Sequence, residues 1–197
     1  GSSVNQDGRA SSLTAPNGPS QQAVIRSSLE RSLLKLEQYE QHEMHGTGTP
    51  LGDPIEVGAA CAVLLRPKVG RGPLRLSAAK VAHGHAEAGA GVVGTMQALT
   101  SMTQGYAPLV TNLRSVNGYV AESVGVAKMT VAPRVWAGMV KGHCEDSSAG
   151  GVSSFAFQGT NVHAIPTTVN DAVKATIQTD IIWNKQSCWP APFSHCM

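Results

Sequence analysis

Residues 43–59 read EMHGTGTPLGDPIEVGA, and this stretch decides the fold. Residues 39–45 overlap its start and have an extended pattern, and the glycines and threonines of residues 46–49 predict a tight turn. From Val57 to Leu65 the residues are almost all small or apolar, which is typical of a buried helix. A strand, a turn and a buried helix in this order are a building unit of α/β folds.

Three residues mark the start of this helix. Asp53 can accept a backbone N–H, and Pro54 suits the first helical position because its missing N–H needs no partner there. Glu56 can reach back to the preceding backbone, as in a capping box. We therefore expect the helix to open at Asp53, with its own side chains capping the first turn.

The chain before residue 39 predicts one strand and one helix. Residues 1–16 combine a strand fragment with a polar loop, because turn-forming residues surround few apolar positions. Asn17 then provides a capping residue ahead of Pro19, and apolar residues recur at roughly helical spacing to about residue 37. We expect an amphipathic surface helix over this range.

The chain after the decisive stretch continues the alternation of strands and helices. The pattern predicts a short buried strand, a helix rich in Ala, Gly and Val, and two β-like runs that form a hairpin, at residues 74–79, 87–102, 151–157 and 162–169. Residues 170–197 are mixed in character and predict a linker or tail. The order of elements predicts an α/β sheet with helices packed on it.

The composition excludes several classes of protein. Only 14% of the residues are charged and 42% are hydrophobic, so a disordered polyelectrolyte is excluded. The net charge is +2 and no stretch concentrates the positive residues, so neither a nucleic-acid partner nor an anionic membrane surface is indicated. No window of about 18 apolar residues could form a membrane span.

The N-terminus and the cysteines indicate the compartment. The first residues lack the basic and apolar regions of a signal peptide and also lack an initiator Met, so we expect the chain to begin partway through a longer protein. Its 4 cysteines have no CxxC spacing and are too few for a disulfide scaffold. We expect an intracellular, reducing compartment, the cytoplasm by default, with a plastid as an alternative.

Two ligand-binding patterns occur without the context that binding requires. Residues 89–94 match the dinucleotide pattern GxGxxG, but they lie inside a helical pattern, and no Asp or Glu follows at about 20 residues to hold a ribose. Small residues that let this helix approach a neighbour closely are the preferred interpretation. His42 and His45 form one pair and His83 and His85 another, but a zinc site with about four converging ligands is not evident.

His45, His85 and Lys80 form the constellation with the clearest chemical meaning. His45 precedes Gly46 and His85 follows Gly84, so both imidazoles lie in tight turns after predicted strands. Lys80 ends the strand that leads to His85. A neutral imidazole can donate a ring N–H to a developing oxyanion, and a nearby ammonium favours negative charge. These residues allow a site that stabilises an enolate or a tetrahedral alkoxide, and purely structural histidines are the alternative.

Four ordered segments strongly resemble the β-ketoacyl synthases, above all the ketosynthase domains of modular and iterative polyketide synthases. They are VNQDGRASSLTAPNGPSQQAVIR (residues 4–26), EMHGTGTPLGDPIEVGA, the stretch from Lys80 to Glu87, and SSFAFQGTNVHAI (residues 153–165). The resemblance covers about residues 1–166 and implies a thiolase-like fold. It assigns residues 1–169 to the C-terminal half of a ketosynthase, a layered α-β-α half-domain, and residues 170–197 to a linker or tail.

The resemblance also implies roles for individual residues. His45 and His85 match the two histidines that the family uses for decarboxylation and for stabilising enolate and carbonyl charge, and Lys80 matches the lysine that supports them. Glu87 matches an acid that helps to order the site. The positions that match substrate-binding or supporting residues are Thr47, Thr49, Phe155, Phe157, Gly159, Thr160 and Asn161, of which the two phenylalanines flank the position of a gating phenylalanine. No cofactor and no metal are implied.

The family's nucleophile has no match in this chain. That cysteine lies in a Thr-Ala-Cys-Ser-Ser type turn, which is absent, and Cys61, Cys144, Cys188 and Cys196 lie in other contexts. We therefore expect a ketosynthase fragment that is inactive alone. A smaller departure is Ala156, which stands where the family usually has Gly, so its Cβ crowds the gate if this position needs a positive φ.

The implied reaction is a decarboxylative Claisen condensation of acyl and malonyl thioesters in polyketide or fatty-acid biosynthesis. The implied partners are an acyl carrier protein with phosphopantetheine-linked substrate, other synthase domains and, in the intact enzyme, a second copy in a homodimer. The alternative is a non-catalytic ketosynthase-like partner or scaffold that docks to an intact synthase, because a half-sheet without its mate exposes apolar surface.

Overall fold

A mixed β-sheet with helices on both faces forms the described part of the protein. The computed structural model describes residues 1–8, 15–64, 74–104, 110, 113, 115–127, 129–131 and 149–168. Its strands are β1 (Ser2–Gln6), β2 (Tyr39–Glu43), β3 (Leu74–Ser77), β4 (Met129–Val131), β5 (Ala149–Phe155) and β6 (Thr160–Ala164). Its helices are α1 (Gly18–Ser32), α2 (Gly52–Leu64), α3 (Lys80–His83), α4 (Ala90–Gln104) and α5 (Gly118–Ala127), with 3₁₀ turns at Leu36–Gln38 and Glu87–Gly89.

The topology of the sheet gathers several chain segments at one edge. The strand order is β1-β6-β5-β2-β3-β4, and β5, β2, β3 and β4 run parallel to one another. Strand β6 is antiparallel to both of its neighbours. Parallel strands share a carboxyl edge, which in α/β sheets is where binding sites form. The segments that follow β2, β3 and β5 therefore meet at that edge.

The helices form a layer on each face of the sheet. Side chains of successive strand residues point to opposite faces. On β2, Gln41 bonds to α4 through Ser101, whereas His42 points to the face covered by α1. The main hydrophobic core lies on that second face, between the sheet and α1, α2 and α5. The α-β-α half-domain predicted from the sequence is confirmed.

Helix α1 begins where the sequence predicts but ends earlier. Asn17 caps it as predicted, because its Oδ1 accepts the N–H of Ser20 at 3.1 Å. The helix ends earlier than predicted, at Ser32 instead of near residue 37, since Leu33 has φ 56° in the left-handed region and stops the helical hydrogen bonding.

The remaining predicted elements are present with shifted ends. The strand fragment expected within residues 1–16, the strand before the Gly-rich turn, the strand near residue 74 and the C-terminal hairpin are confirmed. The helix predicted at residues 87–102 begins later because a 3₁₀ turn occupies its start. Helix α5 and strand β4 were not predicted. The linker assignment at residues 170–197 lies outside the described residues.

The glycines of α4 serve close packing, as the sequence indicated. Gly91 and Gly94 lie inside the helix and face β5: an added Cβ would lie 3.2 Å from Ser154 Oγ at the first, and 3.4 Å from Val152 Cγ1 at the second. Glycine costs about 1 kcal/mol relative to alanine in a helix interior. The cost is offset here because only glycine lets α4 approach the sheet this closely.

Among the helices of the described ranges, none combines the length and the apolar character that a crossing of the bilayer requires.

Candidate active site

His45 lies just beyond the end of β2, in a turn that only glycine can complete. Gly46 has φ 51° and Gly48 has φ 75°, both in the left-handed region. A Cβ on Gly46 would also lie 2.9 Å from the Cβ of Ala78. The glycines of the HGTGT segment therefore allow the backbone to turn sharply against the neighbouring strand's loop and leave His45 at the carboxyl edge.

Glu56 of α2 binds the backbone of this turn. It is buried, and its carboxylate accepts the N–H of His45 at 2.6 Å and that of Gly46 at 3.0 Å. The expected capping box is therefore wrong: Glu56 binds the turn ahead of the helix, because the turn folds back over the first helical turn. Burial raises the pKa of Glu56 to about 7, against the two N–H donors and Lys80, which lower it.

Asp53, in the first turn of α2, also binds a backbone N–H of the HGTGT segment. Its Oδ1 accepts the N–H of Gly48 at 3.1 Å, and α2 begins at Gly52, whose N–H donates to Thr49 Oγ1 at 3.0 Å. Thr49 is thus a local cap of the helix, in place of Asp53. The acidic residues of this motif fasten the histidine-bearing turn to the helix that follows it.

Lys80 reaches His45 from the neighbouring strand. It follows β3 as the first residue of α3, and its Nζ donates to the carbonyl oxygen of His45 at 2.5 Å and lies 3.5 Å from His45 Nδ1. Burial lowers the pKa of Lys80, and the nearby carboxyls of Glu56 and Glu43 raise it. The ammonium therefore lies beside the imidazole of His45, as the sequence-based hypothesis requires.

The ring of His45 has a second donor at Nδ1 besides the Lys80 ammonium. Nδ1 accepts the backbone N–H of Phe155 at 3.4 Å, and the Phe155 ring packs on the imidazole with 5.6 Å between centroids. A neutral imidazole with Nδ1 as acceptor carries its proton on Nε2. Burial, then the charges of Lys80 and His85, lower the pKa of His45 to about 4. His45 is therefore neutral near pH 7 and presents Nε2–H as a donor.

His85 meets His45 at the same edge of the sheet. The ring centroids are 5.9 Å apart with planes at 85°. The backbone N–H of Glu87 donates to His85 Nδ1 at 2.8 Å, so the neutral ring of His85 also carries its proton on Nε2. Glu87 has φ 46°, an uncommon left-handed conformation for a residue other than glycine. In the described residues, the backbone of Glu87 orients His85, and its side chain is exposed.

The hairpin positions divide between the site and its support. Phe155 contacts His45, whereas Phe157 is 76% exposed in the turn between β5 and β6. Thr160 Oγ1 accepts from Gln6 Nε2 at 2.6 Å. The amide of Asn161 is buried and donates to two residues at the end of β1, Asn5 and Asp7.

Those contacts give the hairpin a structural task in the described residues. The amide of Asn161 is directed toward β1 and holds the turn. Gly159 supports the turn as well: it has φ 88°, and a Cβ there would lie 3.1 Å from the Cβ of Asp7. Ala156 does not have a positive φ, so the conditional strain at this position does not arise. Thr47 is exposed in the HGTGT turn.

A second pair of histidines is buried behind the site. Tyr39 Oη lies 2.7 Å from His42 Nδ1 and 3.3 Å from His163 Nε2, and Ser153 Oγ lies 3.3 Å from His42 Nε2 and 3.0 Å from His163 Nδ1. Four groups thus form a closed ring of four hydrogen bonds in which each can donate once, provided that both imidazoles are neutral. Burial lowers the pKa of His42 to about 4 and that of His163 well below its usual value.

Cys61 is the cysteine that the described residues contain, and its surroundings are unsuited to a nucleophile. It lies within α2, half buried, with Sγ 3.9 Å from the carbonyl oxygen of Ser123. Burial raises the pKa of its thiol, whereas a reactive cysteine needs a lowered one. Cys144, Cys188 and Cys196 lie outside the described residues. No group of three or more potential metal ligands occurs in the part of the chain that the structure describes.

Sequence reasoning found the two histidines and the lysine but missed most of their supports. Glu56 was assigned to a cap, and Glu43 and the N–H of Phe155 were not singled out. A signal for Glu56 exists: an acidic residue one helical turn after a Gly-rich turn can accept backbone N–H groups from that turn. The sequence contains no signal for Glu43, whose partners lie on other strands and helices.

Comparison with known proteins identifies the family of this chain. The family model described as the C-terminal domain of β-ketoacyl synthases matches residues 1–114. The chain is 40% identical over 166 residues to mycoketide-CoA synthase of Mycobacterium tuberculosis, covering 84% of this chain and 4% of that protein. It is 39% identical over 165 residues to the pikromycin polyketide synthase component PikAII of Streptomyces venezuelae, with the same coverage of 84% and 4%.

Solved ketosynthases have the same fold. The ketosynthase from module 6 of the bacillaene synthase of Bacillus subtilis superimposes with a TM-score of 0.73 at 28% identity, covering 86% of this chain and 31% of that one. Ketosynthase twelve of the bacillaene polyketide synthase of Bacillus amyloliquefaciens gives 0.72 at 27% identity, covering 86% and 29%. The chain therefore spans a small part of these relatives. It belongs to the β-ketoacyl synthase family, as a C-terminal ketosynthase segment of polyketide synthase type with a thiolase-like fold.

Proposed function

We propose that this chain supplies the charge-stabilising half of a ketosynthase active site, for the decarboxylative condensation of malonyl-type with acyl thioesters. The observation that carries the proposal is the meeting of His45 and His85, whose ring centroids are 5.9 Å apart and whose Nδ1 atoms are both occupied by backbone N–H donors. Two Nε2–H groups are thereby left to bind an oxyanion, and the ammonium of Lys80 adds a favourable field.

The chemistry follows from these donors. When the malonyl carboxylate leaves as carbon dioxide, the electron pair of the breaking C–C bond moves onto the thioester as an enolate. Neutral imidazole N–H groups stabilise the enolate oxygen without transferring a proton to it. The enolate carbon then attacks the acyl thioester, a tetrahedral alkoxide forms and collapses, and the thiolate of the nucleophile leaves. Each charged oxygen in this sequence is a partner for a preorganised donor.

The acyl-bearing cysteine is the group that we assign to another segment. Cys61 lies inside a helix with a raised thiol pKa, and the sequence contexts of the other cysteines differ from the family's nucleophile turn. We infer that the chain alone does not condense acyl chains. Incubation with acyl and malonyl carrier proteins is expected to give neither a β-ketoacyl product nor a stable acyl-enzyme, and labelled acyl on Cys61 would overturn the assignment.

The partners follow from the substrates. Thioesters of this kind are presented on the phosphopantetheine arm of an acyl carrier protein, and the long relatives indicate that further synthase domains flank the ketosynthase. A homodimer of the intact enzyme is part of the same proposal.

The roles of the two histidines are tested in the enzyme completed by its nucleophile-bearing segment. His45→Ala and His85→Ala are each expected to lower decarboxylation of a malonyl thioester by about 10² or more, the usual cost of one oxyanion donor. His83→Ala is the matched control, because His83 is exposed on α3 and does not contact His45 or His85 in the described residues. An unchanged rate in either variant would refute the proposed roles.

Docking without catalysis is the second candidate, and α4 favours it. Val92, Met96 and Leu99 follow one face of this helix and are 64%, 63% and 39% exposed. An apolar stripe of this kind marks an interaction surface. Sedimentation at micromolar concentration tests it: association supports a docking role, and a compact monomer contradicts it.

A further inference from the structure

We propose that Glu43 is the positioning residue for Lys80: its buried carboxylate holds the turn from which Lys80 reaches His45. The importance of this task for catalysis rests on the proposed function, but the positioning itself is a property of the fold. Glu43 is the first residue of the EMHGTGTPLGDPIEVGA segment, and its contacts define its role.

Three chain segments meet on the carboxylate of Glu43. It is the last residue of β2 and is buried. Its Oε1 accepts the backbone N–H of Ala79, in a short hydrogen bond. Its Oε2 accepts from Ser77 Oγ at 2.5 Å and from Gln97 Nε2 at 3.1 Å. Glu43 thus ties the strand that leads to His45 to the end of β3, to the turn after it and to helix α4.

The bond to Ala79 fixes where Lys80 starts. Ala79 precedes Lys80 directly and belongs to the first helical turn, whose N–H groups have no acceptor within the helix. Because Ala79 is buried, its N–H needs a partner from elsewhere in the fold. Glu43 supplies that partner from the adjacent strand, so the turn is held in register with the strand that carries His45.

The surroundings leave Glu43 little freedom to move. Gly94 of α4 lies against it, and an added Cβ there would be 3.3 Å from Glu43 Cγ. Gln97, one turn further along α4, donates to the same carboxylate. The helix therefore closes over the side chain and confines its oxygens to the place where Ala79 needs an acceptor.

Two substitutions separate the reach of this side chain from its charge. Glu43→Gln keeps the length: its amide oxygen can accept from Ala79, while its NH₂ group donates to Ser77 Oγ and to a reoriented Gln97 amide. Glu43→Asp keeps the charge but is one methylene shorter, so its carboxylate no longer reaches Ala79. A positioning role predicts that the Gln variant behaves like the wild type and the Asp variant does not.

Two measurements on the full chain read the position directly. Hydrogen exchange of the Ala79 amide, followed by NMR, reports the bond to residue 43. The rate of Lys80 acetylation, followed by mass spectrometry, reports whether the ammonium is still held at His45, with exposed Lys35 as an internal reference. We expect Glu43→Asp, which keeps the charge, to raise both rates by about 10- to 100-fold, which is the range for loss of a buried hydrogen bond. We expect Glu43→Gln to leave exchange at Ala79 within about threefold; its acetylation rate is not compared, because loss of the Glu43 charge lowers the pKa of Lys80.

The opposite pattern would overturn the proposal. It fails if Glu43→Asp leaves both rates unchanged, or if Glu43→Gln accelerates exchange at Ala79 as much as Glu43→Asp does. Gln97→Met removes only the contact from α4, and an equal acceleration in that variant would show general loosening and also contradict the proposal. If Glu43→Asp does not fold, Glu43→Gln decides alone, because retained protection supports positioning and lost protection refutes it.

These readouts are independent of condensation activity. Lost decarboxylation in His45→Ala or His85→Ala tests the proposed function, whereas exchange at Ala79 and labelling of Lys80 test the support. The two proposals can therefore fail separately.

Discussion

The buried ring of Tyr39, His42, Ser153 and His163 predicts an acid-sensitive fold. Both imidazoles must be neutral for the ring to close, and in the unfolded chain a histidine has a pKa of about 6.5. Burial lowers the pKa of His42 to about 4 in the folded state, so between these values the unfolded chain binds a proton that the folded chain does not. The stability that neutral His42 contributes is therefore fully present above about pH 6.5 and is lost as the pH falls toward 4.

The magnitude follows from the gap between the two values. One pKa unit corresponds to about 1.4 kcal/mol, so His42 alone removes about 2 kcal/mol by pH 5 and about 3 kcal/mol by pH 4, where the folded ring is itself half protonated. His163 acts in the same direction, since its pKa is also lowered by burial, by His42 and by the N-terminal amine of Gly1. The raised pKa of Glu56 acts oppositely and gains stability as the pH falls from about 7, so total stability alone does not isolate the ring.

A variant without a titrating side chain at position 42 isolates the contribution of His42 to the pH dependence. His42→Gln keeps polar atoms at this position, and the free energy of unfolding of both proteins is measured with urea by circular dichroism from pH 7.5 to 5. The wild type is expected to lose about 2 kcal/mol relative to the variant over this range, whatever the constant cost of the substitution. His83→Gln, at an exposed position, is the control and should show no such trend. A difference between wild type and His42→Gln that stays flat with pH would refute the reasoning.

Further predictions concern the packing of the ring and the charge beside the site. Gly151→Ala places a Cβ where it overlaps the Tyr39 hydroxyl and lies 2.6 Å from His163 Cε1. We therefore expect the free energy of unfolding in urea to fall by about 1–3 kcal/mol or more. Gly58→Ala in α2 has open space around it and should raise the free energy of unfolding by up to about 1 kcal/mol. Equal effects of the two substitutions would contradict the packing. Lys80→Met removes a charge that lowers the pKa of His45. NMR titration should find this pKa raised above about 4 but still below 6.5, because burial is the larger cause of the shift. An unchanged pKa would show that the ammonium does not act on the ring.

Local patterns in the sequence predicted most of the described fold. Asn17 caps α1, the Gly-rich turn separates β2 from α2, and the hairpin of β5 and β6 surrounds Gly159, because each of these features depends on residues that are neighbours in the chain. His45, His85 and Lys80 were predictable for a related reason. Their positions after strands place them at the carboxyl edge of a parallel sheet, where they meet.

Pairings between distant segments could not be predicted from the sequence. Glu56 looked like a capping residue, because its true partners, the N–H groups of His45 and Gly46, become available only after the turn folds back. The contacts of Asn161 depend on the register of β1 against β6, which places its amide beside Asn5 and Asp7. His42 and His163 lie far apart in the chain. They meet only because the sheet places β2 and β6 on either side of β5.

The central claim is that His45 and His85 are neutral donors through Nε2, and ¹⁵N NMR of the imidazoles measures this most directly. At pH 7 we expect, for both rings, a protonated Nε2 and an unprotonated Nδ1, since Phe155 and Glu87 donate their backbone N–H groups to the Nδ1 atoms. A proton on Nδ1 of either ring, or a doubly protonated His45 at this pH, would contradict it.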